Sequence, residues 1–200
     1  MSNNIEDKKG NYEVVRNILS SRYQEVNGYD FYRYIFPDNQ NVGELSGNYS
    51  KPNAIYLYRD EEEDPDRTYR RRIMLNDTWE DDYMNYVECN HKTLCSGLAY
   101  RDKKNRLENA QQMNALVFDL DSVGENELEN LLLRMSKKPG LRTLPEPTFI
   151  VMSGTGLHIY YVFDRPVALY PNIKLQMKAL KYDLTFKMWE YKATSKEKQI

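Results

Sequence analysis

The sequence contains very little cysteine. Only Cys89 and Cys95 occur among its 200 residues, and two cysteines cannot build the disulfide framework on which small secreted domains depend. No stretch approaches the ~18 consecutive apolar residues of a membrane-spanning helix, and the N-terminus, MSNNIEDKKG, lacks the apolar core of a signal peptide. We therefore expect a cytoplasmic protein with no membrane partner.

The chain also lacks an excess of charge of either sign. Its 28 Lys and Arg residues against 30 Asp and Glu give a net charge of −2, which excludes a uniformly basic protein of the histone type. Two local basic clusters nevertheless stand out, Arg101, Lys103 and Lys104, and then Lys174, Lys178 and Lys181. Either cluster could contact nucleic-acid phosphates, but for each cluster taken alone an ordinary solvated surface is the preferred interpretation.

Apolar periodicity predicts a mixed α/β fold. In the first half it predicts a helix over 11–26 with Gly28 as its stop, strands over 31–36, 54–59 and 70–75, and a helix over 78–88. In the second half it predicts strands over 114–120, 148–152 and 159–163, the last one ended by Pro166, and helices over 125–135 and 171–190. We expect a disordered segment at 1–10, an N-terminal α/β subdomain at 11–112 and a second subdomain at 113–200.

Two carboxylates follow the most apolar predicted strand. Asp119 and Asp121 lie at i and i+2 in the segment NALVFDLD, so both side chains point to the same side of the strand. Like charges this close repel unless a cation lies between them, and carboxylate oxygens suit Mg²⁺ or Mn²⁺. The pair therefore predicts a divalent-metal site, although a strand that simply runs into a polar loop would look similar.

A glycine-containing turn with a histidine joins the next two strands. In MSGTGLH, Gly154 and Gly156 allow the backbone to approach an anion, and Ser153 and His158 add hydrogen-bond donors. The segment is no Walker loop, because it lacks the G-x-x-x-x-G-K-[ST] pattern. It predicts a triphosphate-binding loop, with a glycine-rich hairpin and a surface histidine as the alternative. Cys89, His91 and Cys95 are too few for a structural zinc site, and loop and core roles suit them better.

An apolar strand ending in D-x-D, a helix, and then a strand leading to S-G-x-G-x-H resemble the archaeo-eukaryotic primase–polymerase superfamily. The closest resemblance is to the primase–polymerase domains of plasmid, phage and integrated-element replication proteins, and it is specific over residues 96–165. It implies an RRM-like catalytic sheet with helices on one face, preceded by a variable α/β subdomain. It also implies that Asp119 and Asp121 hold the catalytic metals, and that His158 and Ser153 contact the phosphates of the incoming nucleotide.

The resemblance implies a DNA primase or polymerase that uses nucleoside triphosphates and a DNA template or primer, with a helicase on the same or another chain. One feature of the family is missing. The third acidic residue should follow the last predicted helix, and Asp183 lies inside that helix. Either the chain is a piece truncated at its C-terminus or its site is incomplete.

Two other functions fit part of the pattern. VFDLDSV also resembles the first motif of haloacid-dehalogenase-like phosphatases, with Asp119 as nucleophile and Asp121 as general acid, but the later acidic pair of that family is missing. The third candidate is a non-catalytic replication-initiator module that binds DNA on the same scaffold.

Overall fold

The computed structural model describes residues 3–37, 50–51, 54–58, 70–74, 83–84, 88, 93–101, 106–136, 140, 143–154 and 156–188. Helices α1, Asn3–Ser20, and α2, Gly28–Ile35, come first, and five strands follow: β1, Ser50–Lys51; β2, Ala54–Tyr58; β3, Arg70–Met74; β4, Thr93–Leu94; and β5, Leu98–Arg101. The short 3-10 turn Leu107–Asn109 leads into β6, Ala110–Leu120. Helix α3, Glu125–Met135, strands β7, Phe149–Met152, and β8, Leu157–Ala168, and helix α4, Pro171–Met188, complete the fold. The mixed α/β class predicted from the sequence is confirmed.

The strands form two sheets. The larger one has the order β1-β5-β6-β8-β7, and the smaller one has the order β3-β2-β4. Strands β1 and β5, β5 and β6, and β7 and β8 pair antiparallel. Strand β8 also runs antiparallel to β6, because Leu169 N–H donates to the Gln111 carbonyl at one end and Gly156 lies against the Leu120 carbonyl at the other. The strands predicted over 54–59 and 70–75 are confirmed, and they form the antiparallel pair β2 and β3.

The chain divides into two compact units, and the division passes through β6 and β8. The first unit comprises Met1–Glu25, Leu116–Tyr161 and Asn172–Ile200, and the second comprises Val26–Ala115 and Val162–Pro171. In the first unit α1 packs against α3. Its core contains Val15, Phe118, Leu128, Leu131, Leu132 and Ile159, none more than 5% exposed. The predicted subdomain division at residue 112 stays a prediction.

The second unit is held by polar contacts inside its core. Asn114 is 2% exposed, and its side-chain Nδ2 donates to the Ile35 carbonyl at 2.9 Å. The backbone N–H groups of Asn114 and Ala115 both donate to the Gly97 carbonyl, at 2.7 and 3.1 Å. A Cβ at position 97 would collide with the backbone of Ala115, so only glycine permits this approach.

The strand predicted over 31–36 is wrong, because residues 31–35 belong to helix α2 and Phe36 is its C-cap. Asn27 caps that helix, since its side chain accepts a hydrogen bond from Asp30 N–H at 2.8 Å. Phe31, Tyr32 and Ile35 are buried at helical spacing, and a run of aromatic residues had suggested a strand. Gly28, predicted to be a helix stop, is the first residue of α2.

Two other boundaries differ from prediction. Helix α1 begins at Asn3 and ends at Ser20, so residues 3–10, predicted to be disordered, are helical. Apolar periodicity cannot detect a helical segment made of polar residues such as Glu6 and Lys8, although both have good helix propensity. Strand β8 continues to Ala168 and is not ended by Pro166. Strand β7 pairs with β8 only as far as Tyr160, so the missing N–H of Pro166 leaves no bond to β7 unmade.

The remaining elements of the second half agree closely with prediction. Helix α3 has the predicted bounds, and β7 and α4 differ from theirs by one or two residues. The acidic hairpin tip at 60–66, most of the predicted helix over 78–88, and Cys89, His91, Lys103 and Lys104 lie outside the described residues. None of the helices in the described part of the chain is long and apolar enough to cross a membrane.

Candidate functional site

Strand β6 presents its two faces very differently at its carboxyl end. Leu116 and Phe118 are 3% and 4% exposed, whereas the side chain of Asp119, between Phe118 and Leu120 in sequence, is 67% exposed. This contrast follows from the alternation of side chains along a strand. Asp121, just past the strand end, is also exposed. The D-x-D segment therefore carries two solvent-accessible carboxylates beside a buried apolar face.

His158 lies directly beside the first of these carboxylates. Its Nε2 is 3.3 Å from Asp119 Oδ1, and its side chain is 18% exposed. Strand β8 brings the two together, because it runs antiparallel to β6 and begins at Leu157, next to the end of β6. Because β6 and β8 are neighbours in one sheet, this contact puts the imidazole on the same sheet face as Asp119. A protonated His158 would form an ion pair with Asp119.

The loop between β7 and β8 closes against the end of β6. Ser153 N–H donates to the Gly156 carbonyl at 3.0 Å, and Gly154 has φ +92°, a conformation that glycine adopts without strain. A Cβ on Gly156 would lie under 3.0 Å from the Leu120 carbonyl oxygen and 3.2 Å from Asp121 Cα. Glycine at 156 is thus required for the loop to lie on the D-x-D segment.

The two glycines of this loop have different surroundings. Gly154 is exposed, and no atom lies within 4 Å of a Cβ built on it. Gly156 is buried. An anion in solvent can therefore reach the backbone at Gly154, next to the exposed Ser153, while Gly156 serves the close packing of loop on strand.

The turn that follows Asp121 is anchored from two sides. Asn11 in α1 donates through Nδ2 to the Val123 carbonyl at 3.2 Å, and Glu127 accepts from Gly124 N–H at 3.1 Å. Ser122 has φ +55°, an uncommon conformation for a residue other than glycine. No sequence motif pointed to Asn11 or Ser122 as part of this site. Glu127 alone could be predicted from the sequence, because a glutamate three residues after the N-cap is the second half of a capping box.

The opposite face of β6 contacts helix α4. Lys181 Nζ lies 6.0 Å from the centre of the Phe118 ring, and Tyr161 meets the same ring edge to face, with centroids 5.9 Å apart. The Tyr161 hydroxyl donates to the Pro145 carbonyl at 3.0 Å, and burial raises the pKa of Tyr161 to about 12. Lys181 therefore lies on the sheet face opposite Asp119 and His158.

Among the predicted basic residues, Lys178 and Lys181 of α4 do not lie beside Asp119 and His158. Lys178 Nζ lies 5.7 Å from the Tyr182 ring centre on the same helix as Lys181, and Lys174 lies one turn before Lys178 in α4. Arg101 is the last residue of β5, where its backbone pairs with Ser50. The described contacts thus join the side chains of Asp119 and His158 and set Gly156 against the backbone of Leu120 and Asp121. They leave Lys178 and Lys181 elsewhere.

The metal-binding capacity of the site rests on the two carboxylates. Within the described residues there is no group of three or more His, Cys, Asp or Glu side chains able to hold a metal, so Asp183 does not join Asp119 and Asp121. Two exposed carboxylates still fit Mg²⁺ or Mn²⁺, because Mg²⁺ characteristically takes one or two protein carboxylates and completes its shell with water and substrate phosphates. Cys95 is half-buried, and its Sγ donates to the Ser96 carbonyl at 3.4 Å.

Comparison with known proteins gives this chain no relatives: it matches no family model, no curated protein and no solved structure.

Proposed function

We propose that the chain carries a metal-dependent nucleotidyltransferase site of the primase–polymerase type, which extends DNA from nucleoside triphosphates. The observation that carries the proposal is the 3.3 Å contact between Asp119 and His158, which joins two sequence motifs whose contacting residues are 39 positions apart. Neither the carboxylates nor the glycine loop alone would indicate this chemistry. Together they support the proposal, because a carboxylate that could bind a metal lies next to donors that could bind phosphate.

The strand order supports the RRM-like half of the proposal. The segment β6-α3-β7-β8-α4 has the spatial order β6-β8-β7, so the third strand in sequence lies between the first two. This is the arrangement of a split β-α-β unit, the core of ferredoxin-like and RRM-like sheets. In such a sheet the first and third strands are central, and here these strands carry the D-x-D segment and His158.

Each residue of the site would have a separate role in the proposed reaction. A metal bound by Asp119 and Asp121 would supply Lewis-acid stabilisation of the phosphoryl oxygens. Ser153 and the exposed backbone at Gly154 would hold the triphosphate, while His158 would donate to a phosphate oxygen and neutralise developing charge beside Asp119. The 3′-hydroxyl of the primer would attack the α-phosphorus, and the bond to the leaving pyrophosphate would break. Positioning and charge stabilisation account for the whole role of the protein.

The partners of the proposed activity follow from its chemistry. Template and primer DNA would be held mainly through phosphate contacts. We place the activity in the replication of a mobile or phage element in the cytoplasm, with a helicase as its functional partner. The haloacid-dehalogenase-like alternative gains no observation in its favour. The non-catalytic alternative is consistent with one observation, since no third acidic side chain joins Asp119 and Asp121 among the described residues.

The test is template-dependent incorporation of labelled dNTP or NTP, with Mg²⁺ or Mn²⁺, on primed and unprimed single-stranded DNA. Asp119→Ala and His158→Ala should each lower incorporation by about 10²-fold or more. Asp164→Asn is the matched control, because Asp164 is an exposed carboxylate further along β8, and it should leave incorporation unchanged.

Three results would contradict the proposal. An aspartyl-phosphate trapped with beryllium fluoride and lost in Asp119→Ala would indicate the phosphatase. Metal-dependent nucleotide binding without turnover under any template condition would indicate the non-catalytic module. Incorporation that survives Asp119→Ala would remove the carboxylate pair from the mechanism.

A further inference from the structure

Helix α4 is apolar on the face that it turns to solvent. Leu175, Tyr182 and Phe186 are 70%, 62% and 67% exposed, and Ala179 between them is exposed as well. The helix also has its expected inward face, where Met188 is 5% exposed and Ile173, Met177 and Leu184 are half-buried. A helix with apolar residues on both sides is typical of one that has a partner on each side.

The outward residues follow a 4-3-4 spacing. Leu175, Ala179, Tyr182 and Phe186, together called the α4 seam, occupy alternating d and a positions of a heptad pattern. In the sequence, Trp189 is the next residue at this spacing. A 3-4 repeat is the pattern that packs one helix along another, so the seam indicates a helical partner.

The charges beside the seam are self-complementary. Lys178 occupies the g position and Asp183 the e position of the following heptad, and both side chains are exposed. Lys178 lies at the margin of the seam, since its Nζ is 5.7 Å from the Tyr182 ring centre. In a parallel pair of helices each g residue faces the e residue five positions later on the partner, so Lys178 of each copy would face Asp183 of the other. In an antiparallel pair like charges would meet.

We propose that the α4 seam binds the same seam of a second copy of this chain, in a parallel and symmetric dimer. Taking about 200 Å² for a whole aromatic side chain, the exposed parts of Leu175, Tyr182 and Phe186 offer on the order of 400 Å² per copy. About 800 Å² in the dimer lies below the range of stable interfaces. The dimer is therefore weak, with a dissociation constant of about 10–100 µM. This inference does not depend on the proposed enzymatic function.

The test is sedimentation equilibrium of the full chain up to about ten times the expected dissociation constant. The wild type should dimerise. Lys178→Glu and Asp183→Lys should each weaken dimerisation at least tenfold, because each creates two like-charge pairs. Mixing these two variants should give a heterodimer, since both of its pairs are opposite in charge. The double variant K178E/D183K should dimerise about as well as the wild type, and Lys187→Glu, at a position away from the seam, should have no effect.

Circular dichroism of every variant checks that the fold is retained, which is expected because the changed residues are exposed. A chain that stays monomeric throughout the concentration range overturns the proposal. A dimer insensitive to both charge changes overturns it too, and one that the double variant fails to restore overturns the parallel arrangement. If the wild type is monomeric and Lys178→Glu lowers affinity for single-stranded DNA, the seam belongs to a nucleic-acid surface instead.

Discussion

Replacing Gly156 by alanine tests the assembly of the candidate site directly. The added Cβ would lie under 3.0 Å from the Leu120 carbonyl oxygen and 3.2 Å from Asp121 Cα. Both of these are backbone atoms of the D-x-D segment, so no flexible side chain can move aside. The loop and the strand end must separate, and the contact between His158 and Asp119 should lengthen with them.

The size of the effect follows from the geometry. Introducing one methyl group into a closed backbone contact costs about 1–3 kcal/mol, as in overpacked cores. Because the displaced atoms belong to the site, we expect Gly156→Ala to lower the free energy of unfolding by about 2 kcal/mol and nucleotide affinity by about tenfold or more.

Two other glycines serve for comparison. Gly140 is the control for both stability and nucleotide binding, whereas Gly154, which belongs to the proposed triphosphate-binding loop, is a control for stability alone. Gly154 and Gly140 have φ +92° and +81°, and neither has an atom within 4 Å of a built Cβ. Alanine at either position costs only backbone strain, about 1–2 kcal/mol. Urea unfolding and titration with a fluorescent nucleoside triphosphate in Mg²⁺ measure stability and binding. If Gly156→Ala binds nucleotide as tightly as Gly140→Ala does, the loop does not need to lie on the D-x-D segment, and the reasoning is refuted.

Two further predictions concern the support of the first unit. Arg134 donates to the carbonyls of Lys187 and Met188 at the end of α4 and to Thr143 Oγ1. Arg134→Met should therefore lower the free energy of unfolding, measured by urea denaturation, by about 1–3 kcal/mol. An unchanged free energy of unfolding would contradict a stabilising link between α3 and α4. Tyr161→Phe should lose about 1 kcal/mol at pH 7 with its bond to Pro145. Burial raises the pKa of Tyr161 from 10.0 to about 12, so this tyrosine ionises in the unfolded chain before it ionises in the folded one. As pH rises from 10 to 12, the free energy of unfolding of the wild type should therefore fall by up to about 2 kcal/mol more than that of Tyr161→Phe. An equal pH dependence of the two proteins would contradict the raised pKa of Tyr161.

The local hydropathy pattern was sufficient to predict a helix or strand whose buried residues lie on one clear face or in one continuous run. Helix α3 has Leu128, Leu131 and Leu132 buried on one face, and its bounds were predicted from that periodicity. Strand β6 was recognised from a continuous apolar run, although it starts at Ala110, before the predicted residue 114. Its first residues include Gln111 and Gln112, which no hydropathy pattern assigns to a strand.

The local sequence pattern gave wrong predictions where the intrinsic preference of a residue competes with its contacts in the fold. Aromatic residues favour strands, but in α2 the cap made by Asn27 and the burial of Phe31, Tyr32 and Ile35 on one helix face outweigh that preference. Proline ends most strands, but Pro166 lies where β7 no longer pairs with β8. Both outcomes depend on the surroundings of a residue in the fold, which a window of sequence does not contain.

Some residues of the candidate site could likewise be predicted from the sequence, and others could not. Asp119, Asp121 and His158 could be named from the sequence because their motifs are local, whereas the requirement for glycine at 156 arises only from the approach of two distant backbone segments. The lysines show the limit most clearly. Their spacing places Lys174, Lys178 and Lys181 along α4, but only the packing of that helix on Phe118 decides which sheet face they share. Since Asp119 points to the other face, a nucleic-acid strand lying on these lysines would have to pass around an edge of the sheet to reach the carboxylates. Under the proposed function, the α4 lysines are therefore better suited to hold DNA away from the reacting end, or to flank a protein partner, than to contact the triphosphate.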